Sequence, residues 1–335
     1  MTNKVKIAID AMGGDKAPKK IIEGISISLK SSKDNSFYLY GNQNQIEKEI
    51  SNFSEVRKFC KIINTVDVVS DKESPLAAAK KGKETSMWKA IESQKNNMTD
   101  ISLSAGNTGA LLVISRLILN TIDGINKPAL AGFWPNKDSI NIVLDLGANI
   151  ECDEKNLFDF ACMGSALYKS LFNIENPKIA LLNVGLEETK GSEVLKKTFA
   201  MIKKNKIRNF NFSGYIEGNQ IMDGKVDVIV TDGFTGNIAL KTAEGTANFI
   251  TTNLKKSLSK LSILLSYRSL KKFKDKLDPR KYNGAIFLGL ESPVVKSHGS
   301  TDALGFAHSI DLCNRIVKGN LIEKIKSHLI TVDVR

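Results

Sequence analysis

The stretch that most constrains this chain is Asp227 to Gly245, DVIVTDGFTGNIALKTAEG, which reads as a buried strand, a glycine-bearing loop and the start of a helix. Val228 to Val230 is a β-branched run suited to a strand. Gly233 and Gly236 let the backbone bend and come close to a ligand, and Asn237 is placed at or near a helix start. Such a turn aims unpaired amides at one spot, where aligned peptide dipoles add roughly half a positive charge. That spot suits an anion, most simply phosphate, with Thr235 among the donors. Lys241, one helical turn past Asn237, either supplements those amides or faces solvent. The turn alone does not decide the matter, because glycine-rich strand-to-helix connections also occur without ligands.

The pattern recurs along the chain. Val5 to Ile9 is a strand ending in Asp10, followed by AMGGDKAP and a helix over Lys19–Leu29. Gly13 and Gly14 permit unusual backbone angles there, while Asp10 and Asp15 stand where a parallel strand ends, as ligand contacts or as loop caps. Ile101 to Leu103 leads into SAGNTGALLVISRLIL, where Asn107, Thr108 and Gly109 crowd a helix start with no carboxylate to repel an anion. Further strands are expected at Phe37–Tyr40, Ile62–Val69, Lys178–Val184 and Phe210–Ile216, with a strand pair at Pro128–Trp134 and Ile140–Leu144. Ser74–Gln94 predicts one broken or two short helices, and Asn156–Leu171 one helix with a buried stripe. Lys190, in the loop after the Lys178 strand, either lies exposed or reaches a bound phosphate. Near the C-terminus Lys296, Ser297 and His298 form a dense polar cluster. Alternation throughout predicts a mostly parallel sheet covered by helices, with the glycine loops gathered along one edge at the strands' carboxyl ends.

Thr246 to Lys281 departs from that rhythm. Ten lysines and arginines there face two aspartates, so this stretch carries most of the chain's +12 net charge. Ile250, Leu254, Leu258, Leu261 and Leu265 make one apolar stripe, expected to pack on a second subunit or on the parent domain. Leu261, Ile263, Leu264 and Leu265 near a presumed bend, flanked by lysines, also fit an apolar tip that dips into an anionic membrane surface. We read residues 246–283 as a helical excursion within one α/β/α domain spanning 1–335.

The basic balance favours anionic partners without choosing among nucleic acid, phosphate compounds, an acidic carrier protein and a membrane. Cys60, Cys152, Cys162 and Cys313 are scattered without a CxxC pair, which predicts buried reduced thiols. The first residues enter a strand pattern with no signal-peptide anatomy, and no apolar run is long enough to span a bilayer, so a cytoplasmic protein is expected. The three histidines show no metal-ligand spacing; GxSxG, GxGxxG and GxxxxGK[ST] are all missing. Neither metal nor cofactor is expected. A protein that grips phosphate yet has no obvious nucleophile can use phosphate itself as the nucleophile.

IAIDAMGGDKAP, SAGNTGALL, DLGAN at Asp145–Asn149, LLNVGLEETKG, VTDGFTGNIALKTAEG and VVKSHGSTDA together resemble, in order, bacterial acyl-acyl-carrier-protein:phosphate acyltransferases. The resemblance runs from Ile7 to about the C-terminal helix. It implies transfer of a long-chain acyl group from acyl-carrier-protein thioester to inorganic phosphate. The product, acyl phosphate, serves glycerol 3-phosphate acylation in phospholipid synthesis. It also implies a three-layer fold similar to phosphotransacetylases and to isocitrate and isopropylmalate dehydrogenases, a homodimer, and peripheral membrane contact through the excursion; nucleic acid is not among the implied partners. KYNGAIFLGLESP departs from the family pattern at Tyr282 and Ile286, which bears on local pocket shape. On this reading Asn107, Thr108, Asn237 and neighbouring amides hold phosphate, Lys190 and Lys241 offset charge, and His298 passes a proton, bonds phosphate or is structural. Lys190→Ala is then expected to cut turnover. A coenzyme A-dependent phosphate acetyl- or butyryltransferase and a non-enzymatic membrane scaffold are the rival readings.

Overall fold

The computed structural model describes residues 4–205, 209–257, 271 and 278–333. Strand and helix alternate from the start: β1 (Val5–Asp10), α1 (Lys19–Ser31), β2 (Asn35–Gly41), α2 (Gln43–Ile50), α3 (Ser54–Arg57), β3 (Cys60–Asn64), α4 (Pro75–Lys81), α5 (Ser86–Lys95), β4 (Ile101–Ser104) and α6 (Thr108–Leu119). The hairpin β5 (Ala129–Pro135) and β6 (Ile140–Leu144) follows, then α7 (Glu154–Phe172), β7 (Lys178–Asn183), α8 (Glu193–Lys204), β8 (Asn211–Glu217), β9 (Val228–Val230) and α9 (Gly233–Ser257). β10 (Ala285–Leu288), β11 (Val294–Lys296), α10 (Ala303–Lys318) and α11 (Leu321–Asp333) complete the series.

All eleven strands join one sheet in the order β3-β2-β1-β4-β11-β10-β5-β6-β9-β7-β8. Helices cover both faces, so central strands are apolar along their length rather than in alternation. Ile7, Ile9, Leu103 and Val295 meet α1, α7 and α10 on one face. Val143, Ile229, Phe287 and Val294 meet α5, α6 and the start of α9 on the other. The result is a three-layer α/β/α architecture, as the family resemblance implies.

The sheet is mostly parallel, as expected, but it falls into two blocks that run in opposite directions. β3, β2, β1, β4 and β11 run parallel to one another, β10 is antiparallel to both β11 and β5, and β5 is antiparallel to β6. β6, β9, β7 and β8 are again mutually parallel. β5 therefore shares the direction of the first block, and the second block runs the opposite way. The glycine loops do not gather along one edge: those after β1, β4 and β11 lie at one end of the sheet, and those after β6, β7 and β9 lie at the other.

Two local boundaries also move. β3 ends at Asn64, whose Oδ1 takes the amide of Gln43, rather than continuing to Val69. The freed residues pass toward the start of α5, where Asp67 donates to Glu84 O and accepts from the Ser86 amide. The Ser74–Gln94 region forms two helices, broken at Gly82, whose φ of +98° favours glycine. Cys162 and Cys313 are buried, while Cys60 and Cys152 are half-buried; all four are free thiols.

Of the helical excursion, the structure describes α9 to Ser257, Lys271 and the segment from Asp278. Leu261, Ile263, Leu264 and Leu265, the expected membrane contacts, lie outside the described residues. Of the apolar stripe, the described members Ile250 and Leu254 on α9 are exposed, as is the neighbouring Phe249 at 71%. No helix among the described residues is long and apolar enough to cross a membrane.

Candidate functional site

Three loops meet at the first end of the sheet. Asp10 ends β1 almost fully buried, and its carboxylate receives Ser86 Oγ at 2.6 Å, Ser104 Oγ at 2.7 Å and the Met12 amide at 3.3 Å. Ser104 Oγ in turn accepts the Gly106 amide at 3.0 Å. A Cβ on Gly13 would lie 2.7 Å from both Asp10 Oδ2 and the Gly106 nitrogen, so glycine is required for these two backbones to touch. Asp15 donates its amide to Gly299 O at 3.0 Å, which ties the β1 loop to the β11 loop. Gly14 adopts φ +79° beside Ala105 O, Gly299 O and Lys20 Nζ.

Two lysines are buried in this junction. Lys20, in the first turn of α1, is 4% exposed, and Lys296, at the end of β11, is 9% exposed. Lys20 Nζ bonds Gly299 O; Lys296 Nζ bonds Ser297 O and lies 3.4 Å from Ala105 O. Neither ammonium has a carboxylate within ion-pair distance among the described residues. Burial lowers the pKa of both, that of Lys296 to about 8, against more remote attraction from Asp71 on each, Asp15 on Lys20 and Asp10 on Lys296. A pair of desolvated cations held by carbonyls is stabilised by any anion that enters between them.

The start of α6 adjoins them. Asn107 is its cap: Oδ1 takes the Ala110 amide at 3.0 Å, while Nδ2 donates to Glu73 O at 3.0 Å and Asp71 O at 3.2 Å. Its side chain therefore anchors the 70–74 loop and has no donor left for a ligand. The amides of Thr108 and Gly109 have no acceptor among the described residues, and Thr108 is exposed. Ser297 is buried, its hydroxyl held by Asn283 Nδ2 at 2.9 Å and its amide by Ser104 O at 2.9 Å, so it builds the floor rather than the rim.

His298 stands at the rim. Its Nδ1 lies 3.3 Å from the Ser300 amide nitrogen, which can only donate, so the ring proton sits on Nε2. Partial burial and the Lys296 charge lower its pKa, which favours this neutral form. Lys241 and Glu244 on α9 also act on His298 electrostatically, and they pair with each other at 2.7 Å. α9 starts at the far end of the sheet, but Lys241 comes eight residues later, roughly 12 Å along the axis. Thus α9 carries one expected residue, Lys241, toward this end.

The far end has the same loop grammar with different chemistry. Asp145 is fully buried and accepts from Leu130 N at 3.0 Å, Gly147 N at 3.1 Å, Ala148 N at 3.0 Å, and Asn149 N and Nδ2 both at 2.8 Å. Burial raises its pKa while these donors oppose the shift. The next helix begins at Gly233, earlier than Asn237, and Asp232 precedes it. Asp232 accepts the Thr235 amide and hydroxyl, each at 2.8 Å; Gly236 N donates to Asp232 O and Gly233 N to Asn149 O. The expected phosphate contacts Gly233, Thr235 and Gly236 are thus occupied by the protein's own acceptors. Asn237 lies inside the first turn, where Nδ2 holds Leu146 O at 3.3 Å. Lys190 is exposed in the β7–α8 loop, with its amide on Glu187 O. The structure therefore brings Asp10, Gly13, Gly14, Asp15, Asn107, Thr108, Gly109, Lys296, Ser297 and His298 together. It leaves Lys190 and the Gly233–Asn237 turn apart from them.

Sequence reasoning missed Lys20 and Ser86, and placed Ser104 only in the cradle before α6, not on Asp10. Lys20 hides among Lys16 and Lys19 in a loop-to-helix junction; its one signal is its place beside Ile21 and Ile22 in an otherwise buried stretch. No group of His, Cys, Asp and Glu among the described residues is arranged to hold a metal.

The family model described as "Fatty acid synthesis protein" matches residues 5–324. The "Phosphate acyltransferase" of Pelagibacter ubique is 55% identical over 334 residues, covering 98% of this chain and 100% of that protein. The protein of the same name from Azorhizobium caulinodans is 42% identical over 337 residues, covering 99% and 95%. Among solved structures, a phosphotransacetylase from Streptococcus pyogenes superposes with TM-score 0.63 at 15% identity, over 96% of this chain and 95% of that one. A 4-hydroxythreonine-4-phosphate dehydrogenase from Klebsiella pneumoniae superposes with TM-score 0.55 at 12% identity, over 95% and 99%. At those identities the structural likenesses speak to the fold alone.

Proposed function

The chain belongs to the fatty acid synthesis family that includes the phosphate acyltransferases, and from that premise we propose that it transfers a long-chain acyl group from acyl-carrier-protein thioester to inorganic phosphate. The observation that carries this reading is the pair of buried lysines, Lys20 and Lys296, with no ion-pair partner among the described residues, beside the open amides of Thr108 and Gly109. Phosphate seated there meets two cations and two amide donors at the start of α6. A phosphate oxygen attacks the thioester carbonyl carbon, forming the new C–O bond and an oxyanion. Collapse breaks the C–S bond, releasing acyl phosphate and the carrier thiolate. Proximity and the fixed positive field stabilise the step, with no acylated side chain. His298, neutral with its proton on Nε2, supplies a further donor at the rim. The acyl phosphate then serves glycerol 3-phosphate acylation.

The exposed Ile250 and Leu254 of the α9 stripe, with the neighbouring Phe249, support a homodimer in which a second copy covers them. The basic stretch beyond it supports peripheral attachment to an anionic membrane from the cytoplasmic side. Incubation with palmitoyl-carrier protein and radiolabelled phosphate tests the reaction, with acetyl-CoA as the competing donor. Labelled acyl phosphate from the carrier thioester is expected; label transferred only with acetyl-CoA, or not at all, contradicts the proposal.

A further inference from the structure

Asn107 joins two elements beside the phosphate seat. Its Oδ1 accepts the Ala110 amide at 3.0 Å and so caps α6, while Nδ2 faces the carbonyls of Glu73 at 3.0 Å, Asp71 at 3.2 Å and Ser70 at 3.5 Å. A serine cap has one O–H on a shorter arm and an aspartate cap has none, so among the common caps only asparagine closes this link. The 70–75 segment that it holds is also braced from within. Glu73 donates its amide to Ser70 O at 3.1 Å, and its carboxylate takes the Ser70 amide at 2.9 Å and Lys81 at 3.3 Å. Val69, just before the segment, is buried in the cluster that holds Ala78, Ala110 and Ile114. Pro75, at its far end, opens α4 and rests on α6 itself, since a Cβ on Gly109 would lie 2.6 Å from Pro75 Cγ. Gly109 carries one of the amides that lack an acceptor among the described residues, so the segment borders the seat at its donors.

We propose that Asn107 is a positioning residue that sets acceptor specificity: by pinning the 70–75 segment to the first turn of α6, it makes that segment a fixed wall of the seat, which admits inorganic phosphate and turns away phosphate monoesters. This rests on the phosphate reading above. Inorganic phosphate presents bare oxygens on every side, whereas a monoester carries an alkyl group on one of them. The oxygens that meet the α6 amides and the lysines must be bare, and one more must stay free to attack the carbonyl carbon. With a wall closed against the α6 donors, the alkyl group of an ester is left only the place of the attacking oxygen. The link also turns the carbonyl oxygens of the 70–73 turn toward Nδ2. Released from it, they would stand as unpaired negative dipole ends beside the anion.

Asn107→Ser keeps a helix cap and loses the link, so its urea midpoint should stay near that of the wild type. Binding to the full-length protein is read by isothermal titration calorimetry with inorganic phosphate and with methyl phosphate, two oxyanions that differ by one methyl group. The wild type is expected to bind inorganic phosphate about tenfold more tightly than methyl phosphate, and Asn107→Ser to lower that ratio to about twofold. Gly109→Ala reaches the same wall from the other side, since its Cβ presses on Pro75 without removing any donor or acceptor. It should lower the ratio as well, and it decides the matter should Asn107→Ser fail to fold. A wild type that binds both ions equally, or variants that weaken both by the same factor with the ratio unchanged, overturn the proposal and leave Asn107 as a helix cap. Binding of neither ion overturns this inference together with the phosphate reading. Absence of acyl transfer from the carrier thioester sinks the preceding reading alone, because the binding ratio still decides this one.

Discussion

The two ends of this sheet are built from the same parts: a strand, a glycine loop, an aspartate near the strand's end and a helix start. At the far end the aspartates fill the amide nests themselves, Asp145 taking five N–H groups and Asp232 capping α9. At the near end Asp10 is turned inward onto two serines, the α6 amides stay open, and two lysines are buried with no ion-pair partner among the described residues. An internal carboxylate does at one end what a diffusing anion is proposed to do at the other. A glycine-rich strand-to-helix turn is thus an anion site only where the chain has not supplied its own anion.

Substitutions at the two ends should separate chemistry from stability. The largest effect is expected from Lys296→Met, which keeps bulk and loses the cation: phosphate-dependent turnover should fall about 10²–10³-fold with the thermal midpoint little changed. At the far end, Gly236→Ala places a Cβ 1.9 Å from Asp145 O. It should cost about 3 kcal/mol by chemical denaturation, with the phosphate KM of the surviving folded enzyme unaltered. In the wild type, kcat/KM for phosphate should fall about tenfold per pH unit above the Lys296 midpoint of about 8. The sign follows from deprotonation: rising pH removes the cation, and with it the attraction for phosphate. Asp232→Ala removes only a helix cap and should cost about 1 kcal/mol in denaturation with no change in phosphate affinity. The smallest effect is expected for Lys190→Ala, below about twofold in steady-state turnover, since that side chain is exposed at the wrong end. A large loss there would undo the contrast between the ends.

The sequence of elements was readable because buried parallel strands leave continuous apolar runs such as Ile7–Ile9 and Val228–Val230, and glycine loops punctuate them. The near-end cluster was readable for the same reason, through Asp10, Gly13, Asn107, Lys296 and His298. What local pattern could not convey was direction. The hairpin β10–β11, from the C-terminal part of the chain, inserts at the sheet's centre beside β5; this pairing across more than 150 residues leaves β5 running with the first block, so the β5–β6 hairpin turns the second block the opposite way. Lys20 was hidden for a different reason. Its burial depends on Gly14 and Gly299, one of them far away in sequence, while its immediate neighbours make it look like one more exposed lysine.

The place where phosphate binds is tested most directly by a crystal soaked in inorganic phosphate, or in tungstate as its electron-dense stand-in. An anion is expected between Lys20 and Lys296 at the amides of Thr108 and Gly109. Density instead at the Gly233–Asn237 turn, with the near end empty, would contradict it.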